Sequence, residues 1–111
     1  MEIIYSNREL DKRRLYAHTR AEAIPLKEIA DGEIINPMEL VIYTDIDNTG
    51  EIKELVSIAD DQQRHFASSS PSLIRELKAI IELMGDEPYQ IKIRKRLSSK
   101  GGRTYTTCEL V

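Results

Sequence analysis

Apolar and polar residues alternate near the end of the chain with the two-residue period of a β-strand. In residues 89–94 (YQIKIR) the apolar side chains fall on one side and the polar ones on the other. Residues 97–103 (LSSKGGR) have the serine and glycine content of a long hairpin loop, and residues 104–111 are again rich in β-branched and aromatic types. The chain is therefore predicted to end in an antiparallel strand pair with one face toward a core.

A spacing of three and four residues predicts a helix upstream of this hairpin. Ser70 is placed as the N-cap, Pro71 as the first helical residue and Gly85 as the residue that ends the helix. The apolar stripe that would face a core consists of Leu73, Leu77, Ile80, Ile81 and Met84.

Shorter patterns predict the remaining strands. Residues 12–19 (KRRLYAHT) alternate, and are predicted as a strand whose outer face carries Arg14, Tyr16 and His18. Residues 33–46 form a long extended segment, with Pro37 at an edge or bulge. Turn residues at 47–50 lead to a strand at 51–59, and a turn at 60–63 leads to a short return at 64–68. Residues 1–11 fit either an extra strand or a short helical start.

This order predicts a mainly β protein, a five-stranded OB-fold barrel with one α-helix between strands three and four. At 111 residues the chain is one domain. We assign residues 12–111 to the barrel and residues 1–11 to an N-terminal extension. In OB folds the outer faces of strands two and three, with the loops joining strands one to two and four to five, form the ligand surface.

Charge is distributed unevenly along the sequence. The formal net charge is −3, yet residues 88–108 contain six Lys or Arg and no Asp or Glu. Residues 28–61 contain ten acidic side chains and a single basic one, Lys53. A run of like charges can be a solvated face. The alternative is a groove for a polyphosphate backbone, in which cations displace counterions and aromatic rings stack on bases.

The second alternative predicts a specific set of binding residues. Arg103 and Tyr105 share one side of the last strand, and Arg14 and Tyr16 share one side of the strand predicted at 12–19. We expect phosphates and bases to be bound by Arg14, Tyr16, Tyr43, Lys53, Arg64, Lys92, Arg94, Arg96, Lys100, Arg103 and Tyr105.

Other chemistry is not expected from the sequence. Residues 45–50 (DIDNTG) resemble the start of a calcium loop, but position twelve falls on Val56 where glutamate is required. The two histidines and Cys108 lack the paired spacing of a zinc site. We expect His18 to titrate on the basic face, His65 to be partly buried and Cys108 to be buried. No catalytic residue, metal or cofactor is predicted, so the protein is expected not to be an enzyme.

Localisation is predicted from the same simple features. The apolar runs are far shorter than the roughly 18 residues of a membrane span, and no secretory signal opens the chain. A single cysteine fits a reducing compartment. We therefore expect a cytoplasmic protein without a membrane partner.

Short segments in a fixed order resemble the small single-stranded-DNA-binding proteins of tailed bacteriophages, an OB-fold family. The resemblance covers roughly residues 12–111. It is carried by Leu15-Tyr16-Ala17, Leu26 with Asp31-Gly32-Glu33-Ile34-Ile35, Phe66-Ala67-Ser68-Ser69-Ser70 with Leu73-Ile74, Tyr89-Gln90-Ile91-Lys92-Ile93 and Ser98-Ser99-Lys100-Gly101. It implies sequence-independent coating and protection of single strands during phage DNA replication or recombination, in the host cytoplasm.

The chain departs from that family in three ways. Asp61-Gln62 stands where an Asp-Gly turn is expected before the short return strand. Tryptophan is absent, so stacking would fall to the tyrosines and to Phe66, and the acidic partner-recruiting tail of bacterial relatives is missing. RNA as ligand, a monomer or small homo-oligomer, and contacts with replication proteins remain open. The main alternative is a protein-interaction or regulatory module with the acidic segment 45–61 as its interface. A metal-dependent nuclease using the aspartates of that segment is the third.

Overall fold

Strands account for most of the regular structure in the computed structural model, which describes residues 1–20 and 22–111. Its strands are β1 (Glu2–Ser6), β2 (Ile24–Pro25), β3 (Ile34–Ile35), β4 (Pro37–Ile46), β5 (Ile52–Asp60), β6 (His65–Ser68), β7 (Ile91–Leu97) and β8 (Thr104–Leu110). Its helices are α1 (Lys12–Arg20) and α2 (Pro71–Met84), with a 3-10 turn at Leu26–Glu28. The prediction of a mainly β protein is confirmed.

The strands form two sheets. One has five strands in the order β1-β4-β5-β6-β2, and the other has three in the order β3-β7-β8. Only Asn36 separates β3 from β4, so one extended segment contributes to both sheets. Within the described residues the strand pairs do not close into a barrel, because β8 and β2 are unpaired edges of different sheets. The predicted closed pairing is therefore not seen.

Helix α2 has the boundaries that its end residues predict. The Ser70 hydroxyl accepts a hydrogen bond from the backbone N–H of Leu73, and Pro71 occupies the first helical position. The backbone N–H of Gly85 donates to the Ile81 carbonyl at 2.9 Å, with a left-handed φ of 59° that favours glycine. The helix packs chiefly on β8, and its apolar stripe reaches the core.

The core lies between α2 and the inner faces of both sheets. Apolar residues alternate into it from each long strand, as the two-residue period of a strand requires. Its buried members include Leu40, Ile42, Val56, Ile58, Phe66, Leu73, Leu77, Ile91, Ile93 and Cys108. Burial raises the pKa of the Cys108 thiol to about 12, so the predicted burial of this cysteine is confirmed.

Residues 12–20 form a helix, and the strand predicted at 12–19 is wrong. Asp11 begins the helix, because its carboxylate accepts from the backbone N–H of Arg14 at 2.8 Å and its carbonyl from that of Leu15 at 3.0 Å. The side chains turned toward the sheet are Leu15, His18 and Thr19, which follow helical spacing. His18, expected on a basic outer face, is consequently buried.

The other predicted elements are confirmed with small changes. The N-terminal residues form strand β1, which pairs with β4 and so belongs to the sheet. The irregularity expected near Pro37 is a register shift between Pro37 and Glu39. The Asp47 side chain accepts from the backbone N–H groups of Thr49 and Glu51, which fixes the turn between β4 and β5. The short return strand is β6.

Candidate nucleic-acid interface

The outer side of the β7–β8 hairpin concentrates cations. Residues directly opposite one another in an antiparallel pair share a face. The register sets Lys92 opposite Glu109, Arg94 opposite Thr107 and Arg96 opposite Tyr105. Because Ile91, Ile93 and Cys108 turn inward to the core, these three pairs lie on the opposite side of the hairpin, where Thr107 is itself buried. We call this surface, formed by Lys92, Arg94, Arg96, Tyr105, Thr107 and Glu109, the hairpin face.

The loop that joins β7 to β8 adds two exposed cations, Lys100 and Arg103, at one end of the hairpin face. The backbone N–H of Ser98 donates to the Arg103 carbonyl at 2.7 Å and closes the loop. Gly101 and Gly102 both have positive φ, which permits the sharp reversal between them. The sequence therefore predicted both the loop and the exposure of its charges.

Two carboxylates compete for part of this positive charge. Arg94 lies 3.5 Å from Asp31 and 3.9 Å from Glu109, and Arg96 lies 3.4 Å from Glu109. A hydrogen bond from the backbone N–H of Lys95, with the charge of Arg94, lowers the pKa of the Asp31 carboxyl. In the described part of the chain no ion pair involves Lys92, Lys100 or Arg103. These three charges are available to a ligand.

Lys95 differs from its neighbours in the basic run, because its side chain turns inward. Its ammonium donates to the carbonyl of Lys27 at 2.7 Å and to the Thr106 hydroxyl at 2.9 Å. Burial lowers the pKa of this ammonium. Lys95 thus ties the 3-10 turn to β8 and is not part of the hairpin face.

A cleft separates the unpaired edge of β8 from β2 and β6. We call it the seam cleft; its volume is about 500 Å³, within the range of small-ligand pockets. Ala23, residues 25–27, Leu55, residues 67–70 and residues 104–106 line it. Tyr105, 40% exposed, belongs both to this lining and to the hairpin face. Three consecutive serines and two threonines supply hydroxyl groups to its walls.

The remaining predicted cations lie on the five-stranded sheet, where acidic residues neutralise them. Arg14 of α1 forms an ion pair with Glu39, and Lys53 lies 3.7 Å from Asp47. Arg64 contacts Asp60 at 2.7 Å and Glu33 at 3.0 Å, with its guanidinium over the Phe66 ring. Each of these three cations therefore has an acidic partner.

The two other predicted stacking residues differ sharply in exposure. Tyr16 projects from α1 and is 68% exposed. Tyr43 is only 6% exposed, and burial raises the pKa of its hydroxyl. Tyr43 therefore offers no ring to a base in this structure, which corrects the prediction. Tyr43 lies on the side of β4 opposite the core, and α1, which the sequence analysis predicted as a strand, occupies that side.

The predicted site thus divides into two groups. The hairpin face and its loop bring together Lys92, Arg94, Arg96, Lys100, Arg103 and Tyr105. The five-stranded sheet and α1 carry Arg14, Tyr16, Tyr43, Lys53 and Arg64. The sequence analysis missed the serines of the seam cleft, for which the run Ser68-Ser69-Ser70 was the available signal. His65, expected to be partly buried, is partly buried.

Across residues 1–20 and 22–111, no three His, Cys, Asp or Glu side chains are grouped to hold a metal ion. The described helices are too short or too polar to cross a membrane. Two aspartates of segment 45–61, Asp47 and Asp60, fix turns by accepting backbone hydrogen bonds. No protein-family model, curated protein or solved structure matches this chain.

Proposed function

We propose that this protein binds single-stranded DNA without sequence preference, along the hairpin face, the loop at 98–103 and the seam cleft. The observation that carries the proposal is the cross-strand pair of Arg96 and Tyr105. It sets a cation for a phosphate beside a ring for a base. Lys100 and Arg103 extend the positive surface at one end, and the cleft opens beside Tyr105.

Electrostatics would supply most of the affinity in this arrangement. Phosphates would contact Lys92, Lys100 and Arg103 first, since these form no ion pair in the described residues. Exposed ion pairs such as Arg96 with Glu109 contribute at most about 1 kcal/mol, so a phosphate can replace the carboxylate at little cost. Three to five phosphate contacts predict that log K falls against log salt with a slope of about −2 to −3.5.

Base contacts would be tolerant of sequence. Stacking on Tyr105 would contribute about 1–3 kcal/mol for any base, because every base has a π-face. Within the described residues Ser68, Ser70 and Thr106 use their hydroxyls in internal hydrogen bonds, whereas those of Ser69 and Thr104 make none. A hydroxyl can donate or accept a hydrogen bond, so these two suit the edges of all four bases. A surface of this kind holds a strand and carries out no reaction on it.

The order of elements supports a partly open OB fold as the scaffold. In this assignment the segment 34–46 is the first strand, followed by β5, β6, β7 and β8, with α2 between the third and fourth. The OB fold is a five-stranded barrel that is partly open. The seam cleft would be the opening, and the loop at 98–103 would be the one joining strands four and five. The first strand is thus not the one predicted from residues 12–19.

A protein of this kind would protect single strands exposed in replication or recombination, in the cytoplasm of a phage-infected cell. The binding mode described here uses phosphates, rings and hydroxyls, so it does not by itself discriminate against RNA. Bacteriophage origin rests on the sequence resemblance alone.

The test is a titration of fluorescent oligo-dT with the protein at several salt concentrations between about 50 and about 200 mM. Duplex DNA and oligo-U serve as competitors. We expect binding that weakens steeply with salt and that duplex DNA competes for poorly. Absence of binding at the lowest salt, or binding indifferent to salt, would overturn the proposal.

A matched pair of variants locates the surface. Lys100→Ala with Arg103→Ala removes two loop cations, and Arg8→Ala with Arg75→Ala removes two exposed cations elsewhere. The loop variant should reduce the salt slope by about 1.4, since each lost phosphate contact accounts for about 0.7. Equal weakening by both variants would show that binding follows total charge and does not use the loop.

A further inference from the structure

Each of the two long hairpins ends in exposed aliphatic side chains. At the end of the β4–β5 hairpin, Ile46 lies directly opposite Ile52, and these side chains are 65% and 73% exposed. At the end of the β7–β8 hairpin, Leu97 lies opposite Thr104 and is 75% exposed. Because directly opposite residues share one face of a strand pair, the two isoleucines form one apolar patch. Both hairpins therefore present apolar surface that the rest of the described chain leaves uncovered.

The charges around the two hairpin ends have opposite signs. Residues 45–52 contain three acidic side chains and no Lys or Arg, and we call this segment the acidic tip. Residues 96–103 contain three basic side chains and no Asp or Glu, and we call this segment the basic tip. The charged residues are Asp45, Asp47 and Glu51 in the acidic tip and Arg96, Lys100 and Arg103 in the basic tip.

Part of this charge has no partner inside the molecule. Glu51, Lys100 and Arg103 are exposed, and none of them forms an ion pair within the described residues. Asp47 is used in the turn itself, because its carboxylate accepts hydrogen bonds from the Thr49 hydroxyl and from two backbone N–H groups. The acidic tip is therefore a turn of fixed shape, with the free charge of Glu51 beside the apolar patch.

A second copy of the chain is the partner that this pattern fits. Two acidic tips would repel each other, as would two basic tips, because like charges oppose each other across a contact. An acidic tip and a basic tip are complementary in charge, and both offer aliphatic surface. In the described part of the chain no ion pair joins residues 45–52 to residues 96–103, so both tips are open to another molecule.

We propose that this protein associates with itself by docking the acidic tip of one copy on the basic tip of a second copy. The two isoleucines would pack against Leu97, and Glu51 would pair with Lys100 or Arg103. Each copy carries both surfaces, so the contact can join two copies reciprocally or link many copies in a row. The association is a property of the free protein and does not rest on DNA binding.

The basic tip would then have two ligands. It includes Lys100 and Arg103, to which we also assign phosphate contacts, so the acidic tip of a second copy and a DNA strand would exclude each other there. Self-association is therefore measured on protein free of DNA. Its absence would leave the proposed DNA binding untouched, and absence of DNA binding would leave the self-association untouched.

Sedimentation equilibrium of the DNA-free protein tests the association. The contact is small, which places it among the transient interfaces that bury less than about 1,200 Å². In about 20 mM salt, the average mass should rise from the 12.7 kDa of one chain toward twice that value or beyond as the protein concentration increases from about 10 µM to about 1 mM. The rise should shrink in about 500 mM salt, because salt screens exposed charges. A mass that stays at one chain throughout the low-salt series would overturn the proposal.

Two charge-reversal variants identify the docking surfaces. Glu51→Lys alters only the acidic tip, and Lys100→Glu with Arg103→Glu alters only the basic tip. Each should weaken self-association at least about tenfold, because like charges then meet. Glu82→Lys makes the same change of net charge at an exposed position of α2 and should associate as the unaltered protein does. Equal weakening by Glu51→Lys and Glu82→Lys would show that association follows total charge, against the proposal.

A mixture of the two tip variants gives the sharpest comparison. The Glu51 variant keeps an unaltered basic tip, and the variant of the basic tip keeps an unaltered acidic tip. An equimolar mixture should therefore recover the association that each variant has lost alone. A misfolded variant could not restore it, so recovery also shows that both variants fold. If both variants have the circular dichroism of the unaltered protein and their mixture stays at the mass of one chain, the proposal fails.

A last variant tests the apolar part of the contact. Ile46→Ser with Ile52→Ser removes the apolar patch and keeps every charge, so association should weaken about tenfold. Leu83→Ser replaces a similarly exposed aliphatic side chain on α2 and should leave association unchanged. If the isoleucine variant associates as strongly as the Leu83 variant, the acidic tip is not the docking surface.

Discussion

The β7–β8 hairpin and the five-stranded sheet with its flanking helices both carry charged side chains, but they use them differently. On the sheet, acids and bases from different elements pair: Asp45 with Arg20, Asp47 with Lys53, Glu54 with Lys78 and Asp60 with Arg64. On the hairpin, Lys92, Lys100 and Arg103 form no ion pair within the described residues. The comparison shows that a count of charges along a sequence does not measure the charge available to a ligand.

The two regions also differ in how their tyrosines are held. Tyr105 stands beside an open cleft, whereas Tyr43 lies on the side of β4 where α1 docks. Tyr16 is exposed, but the ion pairs of α1 occupy the cations near it. One tyrosine therefore combines an exposed ring with unpaired cations, and we expect it to dominate base contacts.

Replacing that tyrosine should give the largest effect on binding. Tyr105→Ala should lower the affinity for oligo-dT by about 1–3 kcal/mol, which is roughly 5- to 150-fold, because a stacking platform is lost. Tyr105→Phe keeps the ring and should bind nearly as well. Tyr16→Ala is the matched control on the sheet side and should change affinity less than about twofold. An equal loss from both alanine variants would remove the distinction between the two regions.

An acid on the sheet side should affect folding and leave binding unchanged. Burial raises the pKa of Asp60, but hydrogen bonds from the backbone and guanidinium of Arg64 outweigh it, so the pKa lies below the ordinary value. Asp60→Asn should therefore cost about 1–2 kcal/mol of unfolding free energy near neutral pH. The stabilisation is present above the ordinary pKa of about 3.9 and is lost as the pH falls through the folded value.

Urea unfolding of the Asp60 variant and the unaltered protein, at pH 7 and near pH 3, tests this pH dependence of the unfolding free energy. The difference in unfolding free energy should shrink at the lower pH. If the Asp60 variant is fully folded and still binds oligo-dT more weakly than the unaltered protein, this acidic turn contributes to the DNA surface.

Removing the acid from the hairpin face should have the smallest effect, and in the opposite direction. Glu109 lies near Arg94 and Arg96, so Glu109→Gln frees both guanidinium groups for phosphates. We expect affinity at low salt to rise by about 0.2–1 kcal/mol, the range of exposed ion pairs, and the gain to vanish at high salt. Asp45→Asn removes an equal charge on the sheet side and should leave affinity unchanged. Anisotropy titrations of fluorescent oligo-dT with the two variants, run side by side, compare their affinities.

Local signals predicted the elements that form from neighbouring residues. Helix α2 followed from its cap residues and its apolar spacing, and the β7–β8 hairpin followed from alternation on both sides of a glycine loop. The turns at 47–50 and 60–63 followed from aspartates that bond their own backbone. In each case the atoms that fix the structure are a few residues apart in the chain.

Features that depend on distant contacts could not be predicted in this way. Leu15 and Ala17 fit a two-residue period over eight residues, yet Asp11 and the burial of His18 make this segment a helix. The burial of Tyr43 depends on that helix and could not be predicted without it. The seam cleft depends on two strand edges, those of β2 and β8, that are about 80 residues apart in sequence and remain unpaired.

The inward position of Cys108 has a practical consequence for labelling the protein with a thiol-reactive dye. The thiol is buried under α2, and with a pKa near 12 almost none of it is thiolate at neutral pH. A maleimide dye will therefore leave it unreacted in the folded protein. A cysteine introduced at Ser99, in the exposed loop, can then be labelled selectively without first mutating the native one.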